Sequence, residues 1–318
     1  MLKFKPFPGE VEDLHLATLG ERFDHQLNLW KSFTGYPKDT AKLHATLKRL
    51  RKEILVGDVQ ELRQVIDQVE AVMPDLSKYL RNRPRGKKRR PTSPMERLIN
   101  QLNTVFNYAL FDKKDDGWNA YKLVGKHLLR ICPYCHMNHI NYHMRDTRSS
   151  AALELRPPLD HFLPKSIYPY LAVSLYNLIP CCDRCNSTTI KGAKDPEQTI
   201  PHPFDDSARN MTFKVTASAL TTSGITDEEY ALSVTGHGAW KEFADFFHLS
   251  ERYQWYLPEV QDMLGRIQTL DDSDKHIEPL IIRPLFILGF APHEAEQRAL
   301  GICLLDIAKN LGALSEPQ

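Results

Sequence analysis

Leucine, isoleucine and valine recur three and four residues apart through the first third of the chain. Leu43, Leu47, Leu50 and Ile54 form one stripe, and Val59, Leu62, Ile66, Val69 and Met73 form a second. Apolar positions at that period share one face of an α-helix, so the pattern predicts two amphipathic helices, the second closed by Pro74. A third helix opens at "SPME", with Ser93 as N-cap, Pro94 in the first turn and Glu96 at the capping-box position. Leu98, Leu102, Val105, Phe106 and Leu110 line its apolar face. Residues 1–115 thus read as a helical region.

The pattern changes at Cys132. Residues 132–206 hold nine prolines and little periodicity. Such a segment must gain its order from something besides hydrophobic burial. A bound metal is the simplest source, because metal affinity is itself folding free energy. Past Asp206, "MTFKVTAS" alternates like a strand and "YALSVTG" is its candidate partner. Helices are then expected through Trp240, Phe243 and Phe247, within Ser250–Leu270, and from Pro292 to Leu311, with Gly312 placed where a glycine ends a helix. The expected fold is α+β and mostly helical, divided into 1–115, 116–206 and 207–318.

Composition adds little to this picture, since 42% hydrophobic and 25% charged residues describe an ordinary globular chain. The most apolar stretch, Ile281–Gly289, is interrupted by Arg283 and Pro284 and is too short to span a bilayer. The opening "MLKFKPFPGEVEDLH" has acids where a secretion signal needs an apolar segment, so a cytoplasmic location and no membrane partner are expected. Charge is more informative. The net value of +1 hides "KYLRNRPRGKKRR", residues 78–90, with eight Lys/Arg and no acid, against 33 basic and 40 acidic residues elsewhere. A local positive field of that kind suits a polyanion. Arg85, Lys87, Lys88, Arg89 and Arg90 are therefore candidate nucleic-acid contacts on an arm between two helices; a solvated linker is the plainer alternative.

Five of the six cysteines lie between 132 and 185. Cys132, Cys135, Cys182 and Cys185 give C-x2-C-x46-C-x2-C. Each Cys-x-x-Cys turn presents two thiolates to one point, and two turns complete a tetrahedral zinc shell. The 46 intervening residues exceed a simple zinc ribbon, so a further unit is inserted between the knuckles. A redox pair would sit at a helix start in a βαβ context, which neither pair has. His136, His139 or His143 replacing one cysteine stays open. Cys181 reads as a buried thiol beside a ligand, and Cys303 as core.

Between the knuckles lie "LDHFLPKS" and "YNLIPCCDRCN". Asp160, His161, Pro164, Asn177, Leu178, Pro180, Cys182, Cys185 and Asn186 together resemble the zinc-bearing HNH endonuclease family. The resemblance implies a ββα-metal core flanked by helical regions, a structural Zn²⁺ on the four cysteines, and Mg²⁺ or Mn²⁺ held by Asp160 and Asn186. It implies His161 as general base and Asn177 as the brace of the loop that orients it. Many members carry histidine where this chain has Asn186; asparagine is a harder oxygen ligand, which argues for Mg²⁺. The implied activity is hydrolysis of DNA to 5′-phosphate and 3′-hydroxyl ends, with RNA also open, in the manner of a bacterial anti-phage or mobile-element nuclease. A homodimer and a regulatory partner protein fit that build. Lys165 and Lys191 are candidate phosphate contacts, and His202 an extra ligand or a core histidine. The competing reading is a zinc-stabilised adaptor for nucleic acid or protein that has lost catalysis.

Overall fold

Val11, His15, Leu19, Phe23 and Leu27 lie four residues apart and run one buried stripe down α1 (Gly9–Leu29). A histidine in the stripe hides it from a search for apolar residues alone. The computed structural model that carries this helix describes residues 3–84, 88–113, 116–143, 155–196, 199–205, 209–217, 230–272 and 282–314. Arg85 and Lys87 of the basic run lie outside the described residues.

The Leu43–Ile54 stripe is shared by two helices, α2 (Thr40–Arg49) and α3 (Arg51–Val56), broken at Leu50. α4 (Val59–Val72) starts from a full capping box: Asp58 accepts from the Gln60 and Glu61 amides, and Glu61 returns to the Asp58 amide. Pro74 ends α4 but also begins α5 (Pro74–Arg81), since a proline at the first helical position loses no hydrogen bond. The basic run therefore starts inside a helix, with Lys78 and Arg81 in the last turn of α5, where cations favour the negative dipole end.

In α6 (Pro94–Val105), Ser93 Oγ accepts the Glu96 amide at 3.4 Å as expected. Glu96 does not complete the box. Its fully buried carboxylate takes Arg83 through two bonds (2.8 and 2.6 Å), Arg89 (2.9 Å) and the Tyr79 hydroxyl (3.0 Å). Leu110, expected on the same face, lies half-exposed on the next helix, α7 (Tyr108–Asp112). α8 (Ala120–His127) completes the N-terminal helices.

The segment that holds the cysteines contains little regular structure. β1 (Leu159–His161) pairs antiparallel with β2 (Leu178–Pro180), Asp160 opposite Ile179, and the one-turn helix α9 (Asp183–Asn186) follows. The expectation that this segment lacks hydrophobic burial is corrected. Phe162, Tyr168, Tyr170, Leu171, Leu175 and Leu178 are all buried. Helices α3 and α6 pack on the 3₁₀ turn Pro169–Leu171. A stretch threaded through the core is apolar on every side, so it shows no period.

Beyond it, β3 (Met211–Ala217) and β4 (Tyr230–Gly236) form an antiparallel hairpin as the alternation suggests. α10 (Ala239–Phe246) and α11 (Leu249–Tyr253) pack on β4, and α12 (Leu257–Asp272) and α13 (Ile282–Leu288) follow. The single helix expected from Pro292 to Leu311 is two: a 3₁₀ turn, Pro292–Gln297, and α14 (Gly301–Asn310). Leu300 separates them at φ +59°, and Gly312 ends α14 at φ +68°. The result is an α+β protein, mostly helical, with two small two-stranded sheets among the described residues. Its buried apolar residues form one continuous core from Phe4 to Leu314, with Cys132, Cys135, Cys181, Cys182 and Cys185 inside it. Among the described residues no helix is long and apolar enough to cross a membrane.

The Glu96 cluster makes a pH-dependent prediction. Arg83, ahead of the Tyr79 and Arg89 bonds and against the opposing effect of burial, lowers the Glu96 pKa from 4.5 to about 2. A depressed carboxylate stabilises the fold above its unfolded pKa and loses that contribution as pH falls through its folded pKa, here between about 4.5 and 2. Glu96→Gln should cost about 1–3 kcal/mol at pH 7 and flatten the decline of stability below pH 4.5, measured by denaturant midpoints at stepped pH. Parallel acid profiles for the two proteins would contradict this.

Candidate functional site

The first knuckle is a tight turn closed by the Ile131–His139 bridge, with the Cys132 amide donating to Asn138 O (2.9 Å) and the His136 amide to Cys132 O (3.0 Å). His136 takes the left-handed conformation (φ +56°) that this turn requires. In the second knuckle Cys182 caps α9, its sulfur accepting the Cys185 amide at 3.4 Å. The four sulfurs lie within 4.8 Å of one another, and Cys135 and Cys182 are 3.9 Å apart. Tetrahedral Zn–S bonds of about 2.3 Å put sulfurs about 3.8 Å apart, so the cluster fits zinc.

The surroundings also suit thiolates. The Met137 and Cys182 amides donate to Cys135 and Cys132 sulfur at 3.4 Å, and Asn138 Nδ2 reaches both Cys135 (3.7 Å) and Cys182 (3.6 Å). Arg252 on α11 places two guanidinium nitrogens 3.5 Å from Cys185 sulfur. Burial works against its charge, yet the Cys185 and Cys135 sulfurs raise its pKa. The C-terminal region clasps the first knuckle further: Tyr253 donates to Cys135 O at 2.7 Å, Phe247 stacks on Tyr134 at 4.6 Å, and the Leu300 amide donates to His136 O at 2.9 Å. His136 lies outside the four-sulfur cluster, with its Nε2 against Glu296 O at 3.2 Å. Cys181 and Cys303 are buried outside the cluster.

The first knuckle and the stretch after the second each send one side chain to Asp160. Tyr134, between Cys132 and Cys135, donates to Oδ2 at 2.7 Å. Lys191, whose amide donates to Cys185 O (3.3 Å), donates from Nζ to Oδ1 at 2.9 Å and to His161 O at 2.8 Å. Burial, then the Asp160 charge, pushes the Tyr134 hydroxyl well up, so it stays a donor. Lys191 is fully buried, which rules it out as the surface phosphate contact expected from sequence. Removing it alone would strand a buried carboxylate at a cost of about 3–5 kcal/mol.

His161, the next residue on β1, has a separate set of partners. Its Nε2 lies 2.9 Å from Ala172 O, and Tyr108 packs edge-on at 4.6 Å. A carbonyl only accepts, so Nε2 carries the proton and Nδ1 keeps its lone pair. Burial first, then the charge of Lys165, lowers the imidazole pKa to about 3, so the ring is neutral. Asn177 is fully buried and spans the loop that follows: Oδ1 accepts the Leu163 amide (2.7 Å), and Nδ2 donates to Leu163 O (3.0 Å) and Leu171 O (2.9 Å). His15 of α1 donates to the next carbonyl, Val173 O (2.8 Å), with its Nδ1 taking the Trp118 indole proton (3.0 Å). Two imidazoles thus hold the Ala172–Val173 stretch.

The remaining expected residues divide. Asn186, half-buried, ends α9, with no side-chain hydrogen bond among the described residues. Lys165 is exposed, its Nζ 4.6 Å over the Tyr108 ring. His202 is buried against Phe162 (4.2 Å), with Nδ1 accepting the Phe204 amide and Nε2 unpartnered among the described residues. Lys88 and Arg90 are exposed, whereas Arg89 is bound to Glu96. A cleft of about 390 Å³ separates Arg81, Arg83 and Arg89 from Ser166, Ile167 and Ala193, so the basic arm lies beside the loop after His161.

A divalent ion on Asp160 is a harder fit than zinc on the cysteines. Mg²⁺ keeps several of its waters and needs an approachable carboxylate. Asp160 is 2% exposed and both oxygens already accept a hydrogen bond, one from an ammonium. As arranged, Asp160 does not fit a hydrated divalent ion.

Tyr134 and Arg252 are the functional candidates that sequence reasoning misses. Tyr134 occupies an interior position of C-x-x-C, which ligand spacing treats as filler, and Arg252 stands 67 residues from the sulfur it meets. Metal analysis of purified protein should find about one zinc per chain, and Cys182→Ser, which removes a ligand and the α9 cap together, should lose it and loosen β2–α9. A stable Cys182→Ser protein with unchanged zinc would contradict the assignment.

Comparison with known proteins gives one short likeness. Over 53 residues the chain is 43% identical to the Septu protein PtuB of Bacillus thuringiensis. The match covers 16% of this chain and only 20% of that protein. No family model matches the chain, and no solved structure matches it. What these findings establish is a mostly helical α+β chain with a buried four-cysteine cluster suited to a metal such as zinc, and a limited likeness to a Septu protein.

Proposed function

We propose that the chain is an endonuclease of the HNH type that hydrolyses phosphodiester bonds in DNA, leaving 5′-phosphate and 3′-hydroxyl ends. The observation that carries the reading is the Asp160–His161 strand. It leads a strand–strand–helix succession, is held by side chains from the first cysteine knuckle and from the stretch after the second, and is followed by a loop that Asn177 braces. The short likeness to a Septu protein is in keeping with a role in defence against phage.

His161 is the general base of this reading. Its Nε2 proton is engaged by Ala172 O, so Nδ1 is the lone pair left to take the proton from an attacking water. Asn177 keeps the loop from drifting, because a displaced base loses its alignment with the phosphate. Lys165, and Lys88 and Arg90 of the arm, supply exposed positive charge along the path of a nucleic-acid backbone. Zinc on Cys132, Cys135, Cys182 and Cys185 is structural. The family resemblance assigns Mg²⁺ or Mn²⁺ to Asp160 and Asn186, but Asp160 as arranged, with both oxygens taken by Tyr134 and Lys191, does not fit the ion, and no step is assigned to it. A single such site cuts one strand, so duplex cleavage calls for a homodimer or a second nick.

The closed Asp160–Lys191 pair favours a second reading, a zinc-stabilised adaptor for nucleic acid or protein without catalysis. One experiment separates them. Supercoiled plasmid, and in parallel a labelled RNA, is incubated with the protein in Mg²⁺ or Mn²⁺. The nuclease reading expects nicked plasmid from the wild type and at least about a 100-fold slower reaction with His161→Ala. It also expects Lys88→Ala/Arg90→Ala to weaken DNA binding and reduce its salt dependence. Plasmid left supercoiled by the wild type under both metals overturns the nuclease reading in favour of the adaptor; an unchanged salt slope makes the arm a structural strap.

A further inference from the structure

Three arginines line the cleft of about 390 Å³ between the basic arm and the loop after His161, and each is held by an acid more buried than itself. The Glu96 side chain, 0% exposed, binds Arg83 and Arg89. The Asp195 side chain, 7% exposed, binds Arg81, whose Nη2 also donates to the Tyr168 hydroxyl at 2.9 Å. The guanidinium side chains remain 25–40% exposed, so the acids lie inside and the positive ends outside. Arg83 Nη1 and both terminal nitrogens of Arg89 make no hydrogen bond among the described residues. A fork already fixed by one anion loses little rotamer freedom on meeting a second. Three guanidiniums against the two carboxylates bonded to them leave one net positive charge. A third acid, Glu70, stands 4.0 Å from Arg81 but is itself exposed, so solvent weakens its pull. Ser166, exposed on the other wall, follows His161 by five residues, which puts it at most about 18 Å from the base.

We propose that this cleft holds a backbone phosphodiester of the nucleic-acid strand, a few nucleotides from the bond placed at His161. The inference rests on the nuclease reading for the position of the cut, and on the cleft alone for the phosphate. The free N–H groups of Arg83 and Arg89 donate to the non-bridging oxygens, in charge-assisted bonds. The Ser166 hydroxyl donates from the opposite wall. A phosphodiester carries a single negative charge and matches the cleft, whereas a phosphate monoester, near −2, is under-neutralised there. The pairs with Glu96 and Asp195 stay intact, so binding moves no buried charge. One set of arginines thus ties down the arm and receives the strand.

The test measures binding of a fluorescein-labelled twelve-nucleotide oligothymidylate, without a terminal phosphate, to the full-length, zinc-loaded protein with no Mg²⁺ or Mn²⁺ added. Arginine variants would strand Glu96 or Asp195, so the charge is changed on the other wall. Ser166→Asp and Ala193→Glu, both at exposed positions, should each bind the oligonucleotide at least about fivefold more weakly at low salt. The slope of log affinity against log salt should become shallower by about 0.7, the value of one phosphate contact on a single strand. Gln268→Glu, exposed on α12, adds the same charge in the C-terminal region and should leave both quantities unchanged. Unchanged binding and slope in the two cleft variants overturns the proposal, as does an equal loss in Gln268→Glu. Displacement of the oligonucleotide by thymidine 5′-monophosphate at equal ionic strength, lost in Ser166→Asp, marks a free-nucleotide site and overturns the strand assignment. The wild type supplies a readout that needs no variant. Arg89 should react with phenylglyoxal and be shielded by saturating oligonucleotide, read by fragment mass; equal reaction in both conditions overturns the proposal. Failure here is distinguishable from failure of the nuclease reading. Plasmid nicking that His161→Ala abolishes, with oligonucleotide binding unmoved by Ser166→Asp, removes this inference alone. Binding that Ser166→Asp weakens, without any nicking, removes the nuclease reading alone.

Discussion

The four buried cysteine side chains, gathered from two turns 46 residues apart, are the constraint on which the rest depends. Four such sulfurs repel one another when ionised and gain little by being packed together as thiols. A zinc ion reverses both facts. Its binding free energy in small Cys-rich folds, about 10–16 kcal/mol, is comparable to the whole stability of a typical domain, about 5–15 kcal/mol. Arg252 and the amide donors at 3.4 Å lower the cost of keeping the cluster charged.

From that cluster, order passes outward along short covalent and hydrogen-bonded paths. Tyr134 leaves the first knuckle and Lys191 the stretch after the second, and both end on Asp160. Asp160 and His161 are neighbours on a three-residue strand whose other support is β2, itself leading into Cys182. A strand this short contributes few ladder bonds, so its position is set by what lies at its ends. The N-terminal helices supply the opposite wall. His15 and His161 donate to adjacent carbonyls, Val173 and Ala172, and α3 and α6 press on the turn before them. The C-terminal helices cover the first knuckle through Phe247, Tyr253 and Arg252. The flanking regions are parts of one core that holds the cysteine segment from both sides.

How much of this was legible follows from the range of each interaction. Periodicity located α4 and α6, and alternation located β3 and β4, because those elements are regular and have one buried face. The cysteine pairs are legible because ligand spacing is local. Within the helical region read for 1–115, the bounds of the 21-residue α1 are hidden because a histidine and a glycine interrupt its stripe, and His15 is satisfied by Val173 and Trp118, both more than a hundred residues away. The burial of 167–182 was not legible, since a segment enclosed on all sides has no period to find. The burial of Lys191 is hidden for a related reason: a lysine after a cysteine knuckle has the appearance of a surface residue until Asp160, 31 positions earlier, is brought to it. Glu96 likewise fits a capping box by spacing, and only the fold delivers the two arginines that take it instead.

The central claim, that the metal-held knuckles position the Asp160–His161 strand, is tested most directly by hydrogen–deuterium exchange before and after zinc is removed with a chelator. The account predicts that the amides of Phe162, Leu163, Asn177 and Cys181 lose protection while those within α4 and α6 keep theirs. Retained protection of the strand pair in zinc-free protein would contradict it.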